Sequence, residues 1–146
     1  MINIREMTVA DYDAVYRLWR ETEGVGLRTL DDSREGIEQF LRRNPSTCFL
    51  AMDDKNEKIL GVLLCGHDGR RGYIYHFLVI PACRRQGLGR ALLEEALRAL
   101  KKQGIRKSAL VVFADNAVGN AFWEKMGFIS RPDLIYRNKS LDERNF

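Results

Sequence analysis

Tyr73-Ile-Tyr-His-Phe-Leu-Val-Ile-Pro-Ala-Cys-Arg-Arg-Gln-Gly-Leu-Gly-Arg-Ala-Leu-Leu93 reads as a strand, a short glycine-bearing loop and the start of a helix. Tyr73 to Ile80 is uncharged and rich in β-branched and aromatic residues, which suits a strand buried on both faces. Pro81 ends it, having no N–H to give a ladder. From Gly87 onward Leu88, Ala91, Leu92, Ala96, Ala99 and Leu100 recur at three and four residues, with Arg90, Glu94, Glu95, Arg98 and Lys101 between them. The spacing predicts an amphipathic helix of about four turns. Between the two, Arg84-Arg85-Gln86-Gly87-Leu88-Gly89 lacks Cβ atoms at the glycines, so backbone amides can turn toward one point. Free amides at a helix start, with Arg84, Arg85 and Arg90 nearby, suit a phosphate or pyrophosphate. The stretch is neither a P-loop, since no Gly-Lys-Ser/Thr follows, nor a dinucleotide fingerprint, since Leu92 stands at the third glycine.

The order of apolar strand, Val79-Ile-Pro81, and Arg84-x-x-Gly87-x-Gly89 opening a helix resembles the GNAT superfamily of acyl-CoA-dependent N-acyltransferases. A second block, Asn116 followed by Phe122-Trp-Glu-Lys-Met-Gly-Phe128, is similar to the family's later Asn…Tyr-Glu-Lys-x-Gly-Phe signature. Together the two blocks carry the resemblance across nearly the whole chain.

Outward from these blocks, composition bounds the rest. A length of 146 residues fits one domain, 1–146, able to bury around 70% of the surface its unfolded form exposes. Apolar residues at 45% and charged ones at 30% are ordinary for a globular protein, and no apolar run approaches the ~20 residues needed to span a bilayer. Met1-Ile-Asn-Ile-Arg-Glu-Met-Thr is not a secretory signal, so a cytoplasmic address is expected. Cys48, Cys65 and Cys83 form no C-x-x-C pair and read as free thiols rather than as a disulfide frame or metal site. The net charge of +4 is mild, with arginines concentrated at Arg70-Arg71 and Arg84-Arg85. A small phosphorylated ligand explains them more simply than nucleic acid does.

Along the chain, Ile2 to Arg5 alternates as an edge strand. Thr8 and Asp11 form a capping-box pattern before a helix carried by Tyr12, Val15, Tyr16 and Trp19 to about Glu21. Glu21 to Leu30 is a loop. Asp31-Asp-Ser33 offers caps for a second helix with Ile37, Phe40 and Leu41 on its buried side, ending at Asn44-Pro45. Thr47–Met52 and Ile59–Cys65 pair around a polar turn, and a second turn, Gly66–Gly72, feeds the fourth strand. Gly104 stops the central helix, Ser108–Phe113 is a fifth strand, and Asp115-Asn116 caps a last helix that ends at Gly127. Phe128–Ser130 and Leu134–Asn138 read as two final strands, and Leu141–Phe146 as a charged, frayed tail. The sum is an α/β (α+β) chain, a mixed sheet of about seven strands flanked by four helices.

The resemblance implies a GNAT fold splayed between the fourth strand (Tyr73–Ile80) and the fifth, with the gap holding the arm of acetyl-CoA. Phe77, Leu78 and Val79 would pair with its amides, and Arg84, Arg85, Gln86, Gly87, Leu88, Gly89 and Arg90 would hold its pyrophosphate. Asn116 and Trp123 would line the arm. Acyl transfer needs a neutral amine, an oxyanion donor and a proton for the leaving thiolate. A backbone N–H of Phe77 or Val79 is the implied donor. The family's usual acid is a tyrosine where this chain has Trp123, whose indole is far too weak an acid. Tyr136 is a replacement candidate, and Tyr73, Tyr75 and His76 are candidates for the base. Tyr73 and Tyr75 share a face by period two and His76 takes the other unless a bulge intervenes. His67 falls in a polar turn and reads as solvent-exposed.

In the roof loop Glu21 and Glu23 could bind an ammonium group and Arg28 a carboxylate, with Gly24 and Gly26 letting it close. The reading is thus an acetyl-CoA-dependent N-acetyltransferase moving acetyl to a primary amine, small-molecule or peptide, with no metal, membrane or nucleic-acid partner, and with a homodimer left open. A non-catalytic CoA-binding regulatory module and a ribosome- or RNA-associated binder are its alternatives.

Overall fold

The computed structural model describes residues 1–146. Its sheet runs in sequence order through β1 (Ile2–Glu6), β2 (Phe49–Asp53), β3 (Lys58–His67), β4 (Gly72–Val79) and β5 (Ser108–Ala109). Neighbours are antiparallel except β4 and β5, which are parallel because α3 (Leu88–Lys102) crosses between them. Helices α1 (Tyr12–Glu21) and α2 (Arg34–Arg43) precede β2, and α4 (Ala117–Lys125) follows β5.

The apolar run of β3 places it at the centre, buried from Ile59 to Gly66. One core packs Leu60, Leu63, Ile74 and Val79 beneath Leu92, Leu93, Ala96 and Leu100 of α3 and Trp123 of α4. The other packs Val62, Leu64 and Leu78 beneath Val15 and Trp19 of α1 and Ile37 and Leu41 of α2. Three layers follow, helices on both faces of the sheet. Polar residues fix the helix starts. Asp11 accepts from the Thr8 amide at 2.9 Å, and a 3-10 turn then leads into α1. Ser33 Oγ accepts from the Gly36 amide at 3.1 Å to cap α2.

Three expectations about strands are corrected. The sheet has five strands, not seven. The fifth is two residues long instead of running to Phe113, and Phe128–Ser130 and Leu134–Asn138 form no strands. So short a fifth strand offers almost no edge for another strand to join, and Ile129, Leu134, Ile135 and Tyr136 remain exposed. The segment between them is a turn closed by Arg131 on Asp133, at 2.9 and 2.8 Å.

Nor does the C-terminal tail fray. Asn145 Oδ1 accepts from the amides of Leu30 and Asp31, at 3.1 and 3.0 Å, while its Nδ2 donates to the Asp31 carboxylate at 2.9 Å. The Thr29 amide donates to the Phe146 carbonyl at 2.9 Å, and the Thr29 hydroxyl to the Arg144 carbonyl. The tail therefore straps the loop between α1 and α2. His67 is tied down as well, closing β3 with Nε2 2.6 Å from Gln103 Oε1 and Nδ1 accepting from the Gly69 amide at 3.0 Å.

Candidate active site

The site begins where β5 stops. The Gly72 amide donates to the Lys107 carbonyl at 2.9 Å, Tyr73 sits opposite Ala109, and no backbone hydrogen bond joins residues 110 to 113 to β4. On the other edge of β4, the Ile80 amide donates to Leu60 at 2.9 Å. Counting back by two, Leu78 turns its backbone toward β3 while Phe77 and Val79 turn theirs into the gap. The Val79 carbonyl is already bonded by Arg84 Nε at 3.0 Å. The Val79 amide and both backbone groups of Phe77 remain to meet a ligand.

The gap leads to the loop before α3. Arg85 and Gly87 have left-handed backbones, φ 64° and 79°, which turn the chain so that the amides of residues 85 to 90 meet no backbone carbonyl. Glycine adopts that conformation freely and no atom lies within 4 Å of a Cβ at position 87, so backbone angle rather than space selects the residue there. At Gly89 the reason is space, because a Cβ would stand 3.1 Å from Phe77 Cζ. The three arginines of the motif differ. Arg84 donates back to the Val79 carbonyl, Arg90 is paired with Glu94 at 2.9 Å, and Arg85 makes neither an ion pair nor a side-chain hydrogen bond. Gln86 donates to the Ala82 carbonyl at 3.4 Å. Leu78 and Leu88 are buried, so only the backbone of Leu88 is available in the loop. Arg70 and Arg71 lie in the β3–β4 turn, at the opposite end of β4 from Arg84 and Arg85, so the two basic pairs do not merge.

The α4 side of the gap is aromatic. Phe77 stacks on Phe122 at 5.4 Å, and Trp123 packs among Phe77, Phe122 and Phe128 at 5.0 to 5.4 Å. Trp123 is 9% exposed, so its ring is part of the core under the gap. Asn116 Oδ1 caps α4 by accepting from the Gly119 amide at 2.9 Å, and its exposed side chain keeps Nδ2 free to donate.

On the opposite face a β-bulge decides what meets what. Leu63 pairs with Phe77 and Cys65 with Ile74, so Leu64 alone faces both Tyr75 and His76. The bulge resets the alternation. Tyr75 and His76 both point toward α1 and α2, in place of the opposite sides that strict alternation predicts. His76 stands edge-on to the Trp19 ring at 4.9 Å, and its Nε2 is 2.7 Å from Asp32 Oδ1. Asp32 is 5% exposed. Its Oδ2 accepts from the Arg28 amide and its carbonyl from the Tyr12 hydroxyl, both at 2.7 Å. The Trp19 indole N–H is also buried there without an acceptor. Asp32 is the residue sequence reasoning missed, having been read with Asp31 and Ser33 as a helix cap. Ser33 alone does the capping, and that surplus of cap residues was the available signal.

Tyr73 and Tyr75 meet with their rings tilted at 4.7 Å, Phe40 meets Tyr75 edge-on at 5.5 Å, and Tyr136 lies close enough for its charge to act on both tyrosines. Burial first pushes both hydroxyls above the ordinary tyrosine range, followed by the neighbouring phenols at Tyr73 and by Asp31 and then Tyr136 at Tyr75. Neither can be a base near neutral pH, though both can donate a proton. Tyr136 is 65% exposed in an irregular segment rather than on a strand. Glu21, Glu23 and Arg28 are exposed with no side-chain partner in the chain, and Arg28 enters the site only through its backbone, whose amide donates to Asp32 Oδ2 and whose carbonyl accepts from the Asp32 amide.

The gap, the amide-lined loop and the aromatic floor coincide with a match to a family model. The description "Acetyltransferase (GNAT) family" matches residues 12–128. This chain belongs to the GNAT acetyltransferase family. The curated "Acetyltransferase ECA0875" of Pectobacterium atrosepticum is 28% identical over 145 residues, covering 99% of this chain and 100% of that one. The ribosomal-protein-S18-alanine N-acetyltransferase of Escherichia coli superposes with a TM-score of 0.70 at 26% identity, over 87% of this chain and 77% of that one. The PaiA N-acetyltransferase of Thermoplasma acidophilum, solved in complex with coenzyme A, gives 0.74 at 21% identity, over 100% and 96%. The GNAT sheet and helices thus hold despite the lost strands.

Proposed function

We propose that this GNAT chain is an N-acetyltransferase that binds acetyl-CoA and a primary amine together and moves the acetyl group by direct attack. The observation that carries the reading is the row of unpaired amides from residue 85 to 90, standing at the mouth of the gap between β4 and β5. The loop would hold the pyrophosphate through those amides and Arg85, with the dipole of α3 behind them. The arm would lie along β4, pairing with Phe77 and the Val79 amide as an added strand. Coenzyme A in the PaiA structure and the alanine acceptor in the name of the E. coli enzyme support the two substrate classes.

In the reaction the amine nitrogen attacks the thioester carbon, and a gap-facing N–H of Phe77 or Val79 stabilises the oxyanion. His76 takes the proton from nitrogen, being the candidate base that is not a phenol. The C–S bond then breaks, and the thiolate takes its proton from Tyr73, Tyr75 or Tyr136, or from water. Buried Trp123 supplies none. That substitution favours one rival, a CoA-binding regulatory module without turnover. The separated basic pairs leave the RNA-binding alternative without a common surface. Three free cysteines, two of them buried, suit the reducing cytoplasm. Thiol release from acetyl-CoA across a panel of small amines and peptides tests the reading. Release that depends on an amine is expected; tight CoA binding with no release for any amine overturns it in favour of the regulatory module.

A further inference from the structure

We propose that Asp32 is a positioning residue that fixes His76 as the Nε2–H tautomer, leaving Nδ1 as the basic atom of the ring. The proposal rests on the N-acetyltransferase reading and goes beyond it by assigning the base its partner and its reacting nitrogen. A carboxylate only accepts hydrogen bonds. With Asp32 Oδ1 2.7 Å from Nε2, the proton belongs on that nitrogen. Asp32 cannot easily swing away, because Oδ2 holds the Arg28 amide and its own carbonyl holds the Tyr12 hydroxyl. Trp19 closes one side of the imidazole. The groups around the pair are few. Asp32 comes from the loop before α2, and the Tyr12 hydroxyl reaches it from α1. Arg34 stands 5.1 Å over the Tyr12 ring, while Tyr75 with Asp31 lies beyond on the same face of β4. Asp32 is the only charged side chain bonded to the ring.

The proton count closes. As the amine nitrogen forms its bond to the acetyl carbon, its proton passes to Nδ1, and the imidazolium is held against the Asp32 carboxylate. The C–S bond breaks with its electron pair on sulfur, the thiolate takes its proton from Tyr73, Tyr75, Tyr136 or water, and the imidazolium returns its proton to that donor, regenerating the Nε2–H ring. The bulge matters here, because it brings His76 to the face where Asp32 lies, one residue before Phe77 opens its backbone to the gap.

Asp32→Asn is a sharp test because the Arg28 amide is a fixed donor. The Asn carbonyl must stay on that amide, so its NH2 faces Nε2 and forces the proton to Nδ1, the wrong tautomer. In Asp32→Asn we expect kcat to fall by roughly 10²–10³, the lower part of the range for a lost general base, with the KM for acetyl-CoA within about twofold. In a His76→Ala background the same substitution should cost nothing further. Equal losses in both backgrounds would make Asp32 a structural residue and overturn the proposal, as would an undiminished kcat in the single variant. Long-range ¹H–¹⁵N spectra of labelled histidine read the tautomer without turnover: Nε2–H in the native chain and Nδ1–H in Asp32→Asn are expected. Nδ1–H in the native chain overturns the proposal whatever the activity. Native spectra as expected, with no amine-dependent turnover, would overturn the transferase reading and leave the tautomer assignment standing.

Discussion

At the scale of single residues, the same acid can be a peg or a tool, and burial with hydrogen-bond partners tells which. Asp11 is a peg. Burial alone would raise its pKa, but two bonds from Arg5, at 2.9 and 2.8 Å, and one from the Thr8 amide carry it below the ordinary carboxylate value. A carboxylate lowered on folding adds stability that is complete above its unfolded pKa of about 3.9 and is lost as pH falls through the folded value. Because Arg5 is 40% exposed, solvent screens the pair, and Asp11→Asn should cost about 1–2 kcal/mol at pH 7. Urea unfolding should show that gap shrinking at pH 3 and below. A gap independent of pH would mean that the charge is not what stabilises. Cys48 and Cys65 are neither peg nor tool, since burial pushes both thiols up to about 12 and removes the reactive thiolate.

At the scale of elements, the junction of β4 and α3 joins a bulge, an end to pairing and a left-handed turn within one stretch of chain. The turn gives the clearest test. Gly87→Ala meets no atom, so its whole cost is the φ of 79°, about 1–2 kcal/mol in the loop, unless the loop relaxes and tilts its amides. Gly89→Glu would press a side chain against Phe77 and bring a negative charge to the start of α3. By calorimetry CoA affinity should drop more than tenfold in Gly87→Ala and vanish in Gly89→Glu, with circular dichroism unchanged. Unaltered affinity in both would remove the loop from the site. Much of this junction could be read in advance, because apolar runs, proline and the Gly-x-Gly spacing are local signals. The four helices were legible for the same reason, through their caps and periodicity. What could not be read depends on distant partners. The bulge at Tyr75–His76 exists only as a register against Leu63 and Cys65, and Asp32 acquires its meaning only when His76 is folded against it. Ile129, Leu134 and Ile135 have strand-like sequences, but a strand also needs an edge, and β5 ends too soon to supply one.

At the scale of the whole molecule, the last residues of the described chain hold the loop that carries Asp32. Thr29, Leu30 and Asp31 are bonded to residues 144 to 146, while the next residue but one, Ser33, caps α2. Local loop signals stop at Gly24 and Gly26, which the sequence offers as hinges. The strap fixes the other end of the loop, through contacts more than a hundred residues apart along the chain. Such contacts hold the loop in one position without touching the turn that leads from β4 into α3. Asn145 is the key, since its single amide group serves Leu30, Asp31 and the Asp31 carboxylate at once. Asn145→Ala should therefore loosen residues 29 to 31 and leave the two cores intact. Amide exchange at Leu30 and Asp31 should quicken by about tenfold or more, as loss of about 1–2 kcal/mol of local hydrogen bonding requires, while amides in β3 keep their protection. If the loop roofs the acceptor, KM for the amine should rise several-fold with CoA affinity unchanged, because only the amine would then meet this side of the sheet. Equal weakening for amine and CoA would show that the strap supports the whole fold. Unchanged exchange at Leu30 and Asp31 would show that it holds nothing.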